Sequence, residues 1–320
     1  MMNFPSPADI REAAERIRPY AHRTPVMTSA QLNRLAGCEL HFKCENLQRI
    51  GAFKIRGAIN AVFSLSDSEA AGGVATHSSG NHAQALALAA SLRGIKATIV
   101  MPENAPAVKI AAVKGYGGNI IFCKPTHEAR ERTLQEFLDA SGGELIHPYN
   151  DFRIITGQAT AGMELIEEIG APDAVIAPVG GGGLLSGTSL STTYFAPDAD
   201  TYGAEPALAD DAYRSIRDGI IHPPLPPATI ADGLLTGLGE KTFAVISQHT
   251  RRILTVEEDT IRKAMQLLME RMKLVVEPSG AVALAAVLQH PKEFSGKKVG
   301  VIISGGNLDL SQIPVLLQTS

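Results

Sequence analysis

Lys54 sits in the string Gly51-Ala52-Phe53-Lys54-Ile55-Arg56-Gly57, and a run of four glycines, Gly180 to Gly183, follows far downstream. A lysine that is to form a Schiff base must lose its proton. An apolar neighbour such as Phe53 and a nearby cation such as Arg56 both penalise the ammonium form. The glycines lie between the apolar run Ala174 to Val179 and a helical stretch from about Leu184. Side-chain-free amides and the helix dipole make an anion site there, where a plain turn would need one glycine. Together the two strings describe a lysine that holds pyridoxal phosphate. Taken alone, the lysine string also fits a solvated residue at the start of an amphipathic helix.

The glycine run has rival readings. A P-loop ends in Gly-Lys-Ser or Gly-Lys-Thr, which is absent here. A dinucleotide site is the stronger rival, because Glu205 closes the next apolar run where a ribose-binding acid belongs. Its glycine spacing fails, since Gly180, Gly182 and Leu185, or Gly181, Gly183 and Ser186, each lack the third glycine. A nicotinamide-dependent oxidoreductase therefore stands as the outside alternative.

Two polar strings add to this chemistry. His77-Ser78-Ser79-Gly80-Asn81-His82-Ala83-Gln84 follows an apolar run and opens a helical one, so its hydroxyls, amide and free N–H groups suit a substrate carboxylate. Ser304-Gly305-Gly306-Asn307 ends the last apolar run and repeats the logic, although Ser304 also fits a simple helix cap.

The elements that must position these residues alternate regularly. Val74 to His77, Ala97 to Met101 and Ile120 to Cys123 are short strands, followed by helices from Asn81, from about Ala107, and from Glu128 to about Ala140. Ala174 to Val179, Thr201 to Ala204 and Val299 to Ile303 form a second series. Such βαβ alternation predicts an α/β fold with parallel sheets and ligands at the carboxyl ends of strands. Residues 73–150 make a smaller, mobile lobe; residues 1–72 and 151–320 make the larger, cofactor-binding one. Ser6, Pro7 and Asp9 predict a capped helix starting near Pro7. Pro223 to Pro227 is an irregular loop.

With 320 residues and 45% hydrophobic content the chain has enough apolar material for two lobes. A net charge of −4 without a basic stripe argues against nucleic acid as a partner. Cys38, Cys44 and Cys123 are odd in number and lack CxxC spacing, so neither a disulfide framework nor structural zinc is expected. No apolar run approaches membrane-spanning length, and a cytoplasmic location is the expectation.

The strings GAFKIRGA, SSGNHAQ, PVGGGGL, GAEPALADD, ERMKLVVEPSG and SGGN stand in the order, and near the spacing, of the serine racemase and serine/threonine dehydratase family. The resemblance to these fold-type II pyridoxal-phosphate enzymes spans almost the whole chain. It implies a tryptophan synthase β-like fold of two lobes, each with a mainly parallel sheet flanked by helices, and a homodimer. Lys54 resembles the lysine that bonds to the cofactor, Phe53 the residue beside the ring, and Asn81 the partner of its 3′ oxygen. Gly180, Gly181, Gly182 and Gly183 with the amide of Leu184 resemble the phosphate cup, and Ser304 the partner of the ring nitrogen. A neutral hydroxyl there makes the ring a weaker electron sink, which suits elimination over transamination.

By the same resemblance, Ser79 matches the serine that racemases place on the face opposite the lysine, so that Lys54 removes an α-proton and Ser79 returns one. Hydroxyaspartate dehydratases can share this serine. Ser78, Gly80, Asn81 and His82 complete the substrate loop, and Arg130 is similar to an arginine suited to a second carboxylate. Glu205, the Ala209 carbonyl and Asp211 offer hard oxygens suited to Mg²⁺, Ca²⁺ or Mn²⁺, and the family binds a divalent cation at the matching positions. Glu205 thus reads better as a metal ligand than as a ribose ligand; a helix N-terminus stabilised by acids is the bland alternative. Lys109, Lys273 and Asn307 resemble contacts to ATP, an effector of some members. The implied reaction is racemisation of serine with dehydration of serine or threonine; the alternative is a threonine or 3-hydroxyaspartate dehydratase. Ala52 and Ala83 depart from the usual serine and glycine, which bears on fine specificity. No C-terminal regulatory domain is expected.

Overall fold

The computed structural model describes residues 2–318. Ser6 Oγ accepts from the Asp9 amide, and Asp9 Oδ2 accepts from the Ser6 amide at 2.7 Å, closing a capping box on helix Pro7–Ile17. Pro7 fits the first position because its missing N–H falls where a helix has no acceptor for one.

The larger sheet runs in the order β1 (Val26–Met27), β2 (Glu39–Cys44), β10 (Lys298–Ile303), β7 (Ala174–Pro178), β8 (Asp200–Pro206), β9 (Arg252–Val256). Only the β1–β2 pairing in it is antiparallel. The smaller sheet, β5 (Asn119–Cys123), β4 (Ala97–Pro102), β3 (Val74–His77), β6 (Glu144–Leu145), is wholly parallel. Helices cover both faces of the inner strands, so β7 and β4 are buried along their whole length and read as continuous apolar runs.

The six expected strands are present within a residue or two at each end. Four others were not expected: β1, β2, β6 and β9. β1 and β6 have two residues each, too few to leave a pattern. β2 carries Lys43, a charge that looks solvated in sequence but is wholly buried.

Lys43 belongs to a four-charge cluster beneath the Lys54 loop. Arg56 Nε and Nη2 donate to the two oxygens of Glu45 at 2.7 and 2.8 Å, and Nη1 and Nη2 to those of Glu164 at 2.8 Å. Lys43 Nζ donates to Glu164 at 2.6 Å and Thr24 Oγ1 to Glu45 at 2.5 Å. Two cations and two anions cancel, which is what makes complete burial tolerable. The cluster corrects one expectation. Arg56 faces two carboxylates and is neutralised by them, so it does not depress the Lys54 amine.

The Lys54 helix, Lys54–Ser64, is fixed from its other side by helix Phe152–Ile169. A Cβ on Gly157 would stand 2.6 Å from Gly57 Cα, and one on Gly57 would stand 3.0 Å from the Ile154 carbonyl. The two backbones touch at a glycine pair, and Asn60 Nδ2 locks the crossing onto the Arg153 carbonyl at 2.7 Å. Pro223 to Pro227 is irregular, as expected. Among the described residues no helix is long and apolar enough to cross a membrane, and Cys38, Cys44 and Cys123 are free and buried.

Candidate active site

Lys54 begins its helix at the carboxyl end of β10, because Ala52 bridges Gly305 and the Phe53 amide donates to the Ser304 carbonyl at 3.0 Å. Nζ reaches across to the Pro148 carbonyl at 2.9 Å, and the Phe53 ring centroid lies 5.1 Å from it. Burial brings the amine down to about 8, with Glu277 opposing. An amine at that value is a usable base near neutrality. Ser304 is buried, and its Oγ reaches the Ser279 carbonyl only at 3.5 Å, the limit of a hydrogen bond.

The glycine run forms a cup at the N-terminus of helix Gly183–Phe195. Gly182 has φ +87, a left-handed conformation, and a Cβ on it would meet Leu238 and Thr242 at 2.8 Å. Gly181 has another reason to be glycine: a Cβ there would fall 2.5 Å from Tyr149 Cγ. Among the described residues, none of the amides of Gly180 to Leu184 has a backbone acceptor outside the helix. Unpaired amides at a helix N-terminus, a depressed amine and a nearly free hydroxyl fit the phosphate, aldehyde and ring nitrogen of pyridoxal phosphate.

Beside the smaller sheet, Ser78, Ser79 and Gly80 form the half-exposed turn between β3 and helix Asn81–Arg93, where Ser78 Oγ accepts from the Gly80 amide at 3.3 Å. Asn81 Nδ2 donates to Glu277 Oε1 and Oε2 at 3.0 and 3.2 Å. His82 is set apart from this turn. It is buried, and Nε2 bonds the Ile146 carbonyl at 3.0 Å. Burial and the Lys54 charge hold its ring down to about 3, so it stays neutral. Arg130, on helix His127–Ser141, has a buried Nε with no hydrogen-bond partner in the described structure.

Glu205 stands one residue before the end of β8, Ala209 closes the turn Ala207–Ala209, and Asp211 opens helix Asp211–Asp218. The Glu205 oxygens accept from the Ala212 and Tyr213 amides at 2.9 and 2.7 Å, so this acid also caps the helix. Asp211 Oδ2 is buried without a partner. Burial raises Glu205 well above the carboxylate range and Asp211 to about 6. Two raised carboxyls and an oxygen without a partner fit a divalent ion.

The three residues read as nucleotide contacts have separate partners. Lys109 pairs with Asp232 at 3.0 Å, and Lys273 turns back to the Glu270 carbonyl. Asn307 Nδ2 donates to the Ile50 carbonyl at 2.6 Å and to Asn81 Oδ1 at 2.8 Å. Ile50 has φ 59 and ψ 8, a strained conformation for a β-branched residue, and sits just before the Lys54 loop.

Sequence reasoning did not single out Glu277, Tyr149 or Pro148. Glu277 lay within a quoted string, and the Pro278 after it marks a helix start, but only the fold brings its buried carboxyl, raised to about 7, beside Asn81. Pro148 acts through its carbonyl, which no side-chain pattern reveals.

The family model for pyridoxal-phosphate dependent enzymes matches residues 17–305. The chain is 50% identical over 315 residues to a serine racemase of Dictyostelium discoideum, covering 97% of each. It is 49% identical over 313 residues to a beta-hydroxyaspartate dehydratase of Paracoccus denitrificans, covering 98% of this chain and 99% of that one. The crystal structure of the Dictyostelium discoideum serine racemase superposes with a TM-score of 0.92 at 49% identity, over 95% of this chain and 99% of that one.

Proposed function

The chain belongs to the pyridoxal-phosphate dependent enzymes, and on that premise we propose that it interconverts L- and D-serine and eliminates water from serine and threonine, giving a 2-oxo acid and ammonia. The observation that carries the reading is the Lys54 amine, brought to about 8 and held on the Pro148 carbonyl, beside the cup of unpaired amides. Pyridoxal phosphate, held through Lys54 until a substrate amine takes its place, would supply an electron sink for the pair left when that substrate loses its α-proton. Gly180 to Leu184 would hold the phosphate, Ser304 the ring nitrogen and Asn81 the 3′ oxygen. Lys54 takes the α-proton on one face, and the Ser79 hydroxyl returns one on the other. Ser78, Gly80 and Asn81 bind the substrate carboxylate. The small lobe, residues 73–150, closes on the large one and excludes water.

A second reading is favoured by one observation. The buried, unpartnered Arg130 Nε suits a substrate with a distal carboxylate, which makes a 3-hydroxyaspartate dehydratase the alternative, in line with the dehydratase relative. Glu205, the Ala209 carbonyl and Asp211 would hold Mg²⁺, Mn²⁺ or Ca²⁺. A homodimer whose interface takes ATP at Lys109, Lys273 and Asn307, in a reducing cytoplasm suited to three free thiols, completes the proposal.

Borohydride reduction of the holoenzyme should leave a pyridoxyl group on Lys54; its absence overturns the reading. Ser79→Ala should abolish racemisation and spare dehydration of the L-substrate, and D-serine formed at the parent rate would refute the two-face assignment. Rates on serine, threonine and 3-hydroxyaspartate, with product chirality, separate the two readings.

A further inference from the structure

The smaller sheet carries a cavity of about 840 Å³ at the end away from the Ser78–Gly80 turn. It opens at the amino ends of the strands: Gly73 precedes β3, Thr98 is the second residue of β4, and Asn119 begins β5 in register with Thr98. The turn of Ser78 to Gly80 follows the carboxyl end of β3, where an α/β fold ordinarily binds its ligand. Helix Asn81–Arg93 joins the two places. Its 13 residues put Arg93 roughly 18 Å along the axis from Asn81. The cavity is therefore separate from the site around Lys54, and none of the strings that describe that site supplies a residue to it.

Its lining has an apolar part and a charged part. Ile95, Ile121 and Phe137, each half-buried, make the apolar wall, Ile121 from β5 and Phe137 from helix His127–Ser141. Gly94, at φ +75, ends helix Asn81–Arg93 and turns the chain toward β4, which places the cations Arg93 and Lys96 in the lining beside Ile95. Neither cation is fully engaged. Arg93 Nη1 donates to the Val62 carbonyl, and Nη2 reaches Asp67 Oδ1 at 3.3 Å. The Asp67 side chain is fully exposed, so water competes for that pair and a better-placed anion displaces it at little cost. Among the described residues, Lys96 Nζ has neither an ion pair nor a hydrogen bond. Asp67, Arg93 and Lys96 are the charged side chains of the lining, which leaves one positive charge in excess.

We propose that this cavity is a second binding site, for a small carboxylate with an apolar body. An apolar wall with a few placed polar groups, in a space of this size, is the usual make-up of a small-molecule site. The carboxylate bonds Lys96 Nζ and takes Arg93 Nη2 from Asp67, while the body lies on Ile95, Ile121 and Phe137. An exposed ion pair alone is worth little in water, and apolar contact alone does not select an anion. Binding here needs both parts of the lining at once.

The test titrates holoenzyme carrying isotope-labelled isoleucine methyl groups with phenylacetate, following Ile95 and Ile121 by nuclear magnetic resonance. Ile95→Val and Ile121→Val assign the two signals. Phenylacetate should move both along one saturation curve. Phenylacetamide, which lacks the charge, and acetate, which lacks the body, should each bind more weakly by about tenfold or more, the scale of one charge-assisted hydrogen bond. Lys96→Glu should weaken phenylacetate by a similar factor, and because Lys96 is exposed this variant keeps the fold. Ile95 and Ile121 signals that phenylacetate leaves in place overturn the proposal. So does acetate or phenylacetamide binding as tightly as phenylacetate, or a Lys96→Glu variant that binds phenylacetate as the parent does.

Discussion

Asn81 Nδ2 donates to both oxygens of Glu277, and Asn81 Oδ1 accepts from Asn307 Nδ2, so one amide ties the helix Asn81–Arg93, packed on β3 and β4, to two positions that follow β9 and β10 in the chain. The Glu277 bond is charge-assisted whenever the carboxyl is ionised, which makes it the stronger of the two. Glu277→Gln should weaken the tie by about 1 kcal/mol. Deuterium exchange of the amides at the start of that helix should then quicken by roughly fivefold, and unchanged exchange would count against the tie.

The four-charge cluster of Lys43, Glu45, Arg56 and Glu164 makes a prediction about stability. Arg56→Met leaves Glu164 paired with Lys43 but Glu45 with only the Thr24 hydroxyl, one uncompensated buried charge, and should lower the unfolding free energy by about 3–5 kcal/mol. The exposed pair Arg18–Glu15 is the control, and removing it should cost less than about 1 kcal/mol. Urea titration of both variants measures the contrast.

Gly57 and Gly157 meet without room for a methyl group. Gly57→Ala should cost about 1–3 kcal/mol through overpacking, and it should also weaken cofactor binding, because the crossing sets the start of the Lys54 helix. Thermal unfolding and the cofactor dissociation constant report the two effects, and an unaltered Tm would show that the helices can part freely.

His82 makes stability depend on pH in a defined direction. Its folded pKa is depressed, from 6.5 to about 3, so between those values the unfolded chain binds the extra proton. The stability it contributes is present above 6.5 and is lost as pH falls toward 3. His82→Gln cannot take up that proton. Its deficit relative to the parent should therefore shrink between pH 7 and pH 4, as read from urea midpoints; a constant difference would show that His82 titrates normally.

Much of this site could be read from residue types because its logic is local. A capping box, a strand ending in glycines and a helix opening with Asn81 each announce themselves within a few residues. Lys54, Ser304 and the glycine cup could be named before the fold was known for that reason. What escaped depends on pairs far apart in the chain. Lys43 and Arg56 look like solvated cations until Glu164 meets them, and the effect assigned to Arg56 was wrong because its countercharges lie 11 and 108 residues away. His82, read as a substrate contact, is instead engaged by a carbonyl at Ile146. Pro148 left no trace, since a carbonyl is common to every residue.

Ile50, in its left-handed conformation, bears on the order in which the protein is made. The bonds that hold its loop come from near the end of the chain: Asn307 to the Ile50 carbonyl, the Gly306 amide to Gly51 at 2.9 Å, and the Ser304 carbonyl to the Phe53 amide at 3.0 Å. A nascent chain that has emerged through β6, or even through β9, has none of them. Lys54, proposed above to hold the cofactor, is synthesised early and becomes fixed last, so a stalled or truncated chain carries it without its loop geometry.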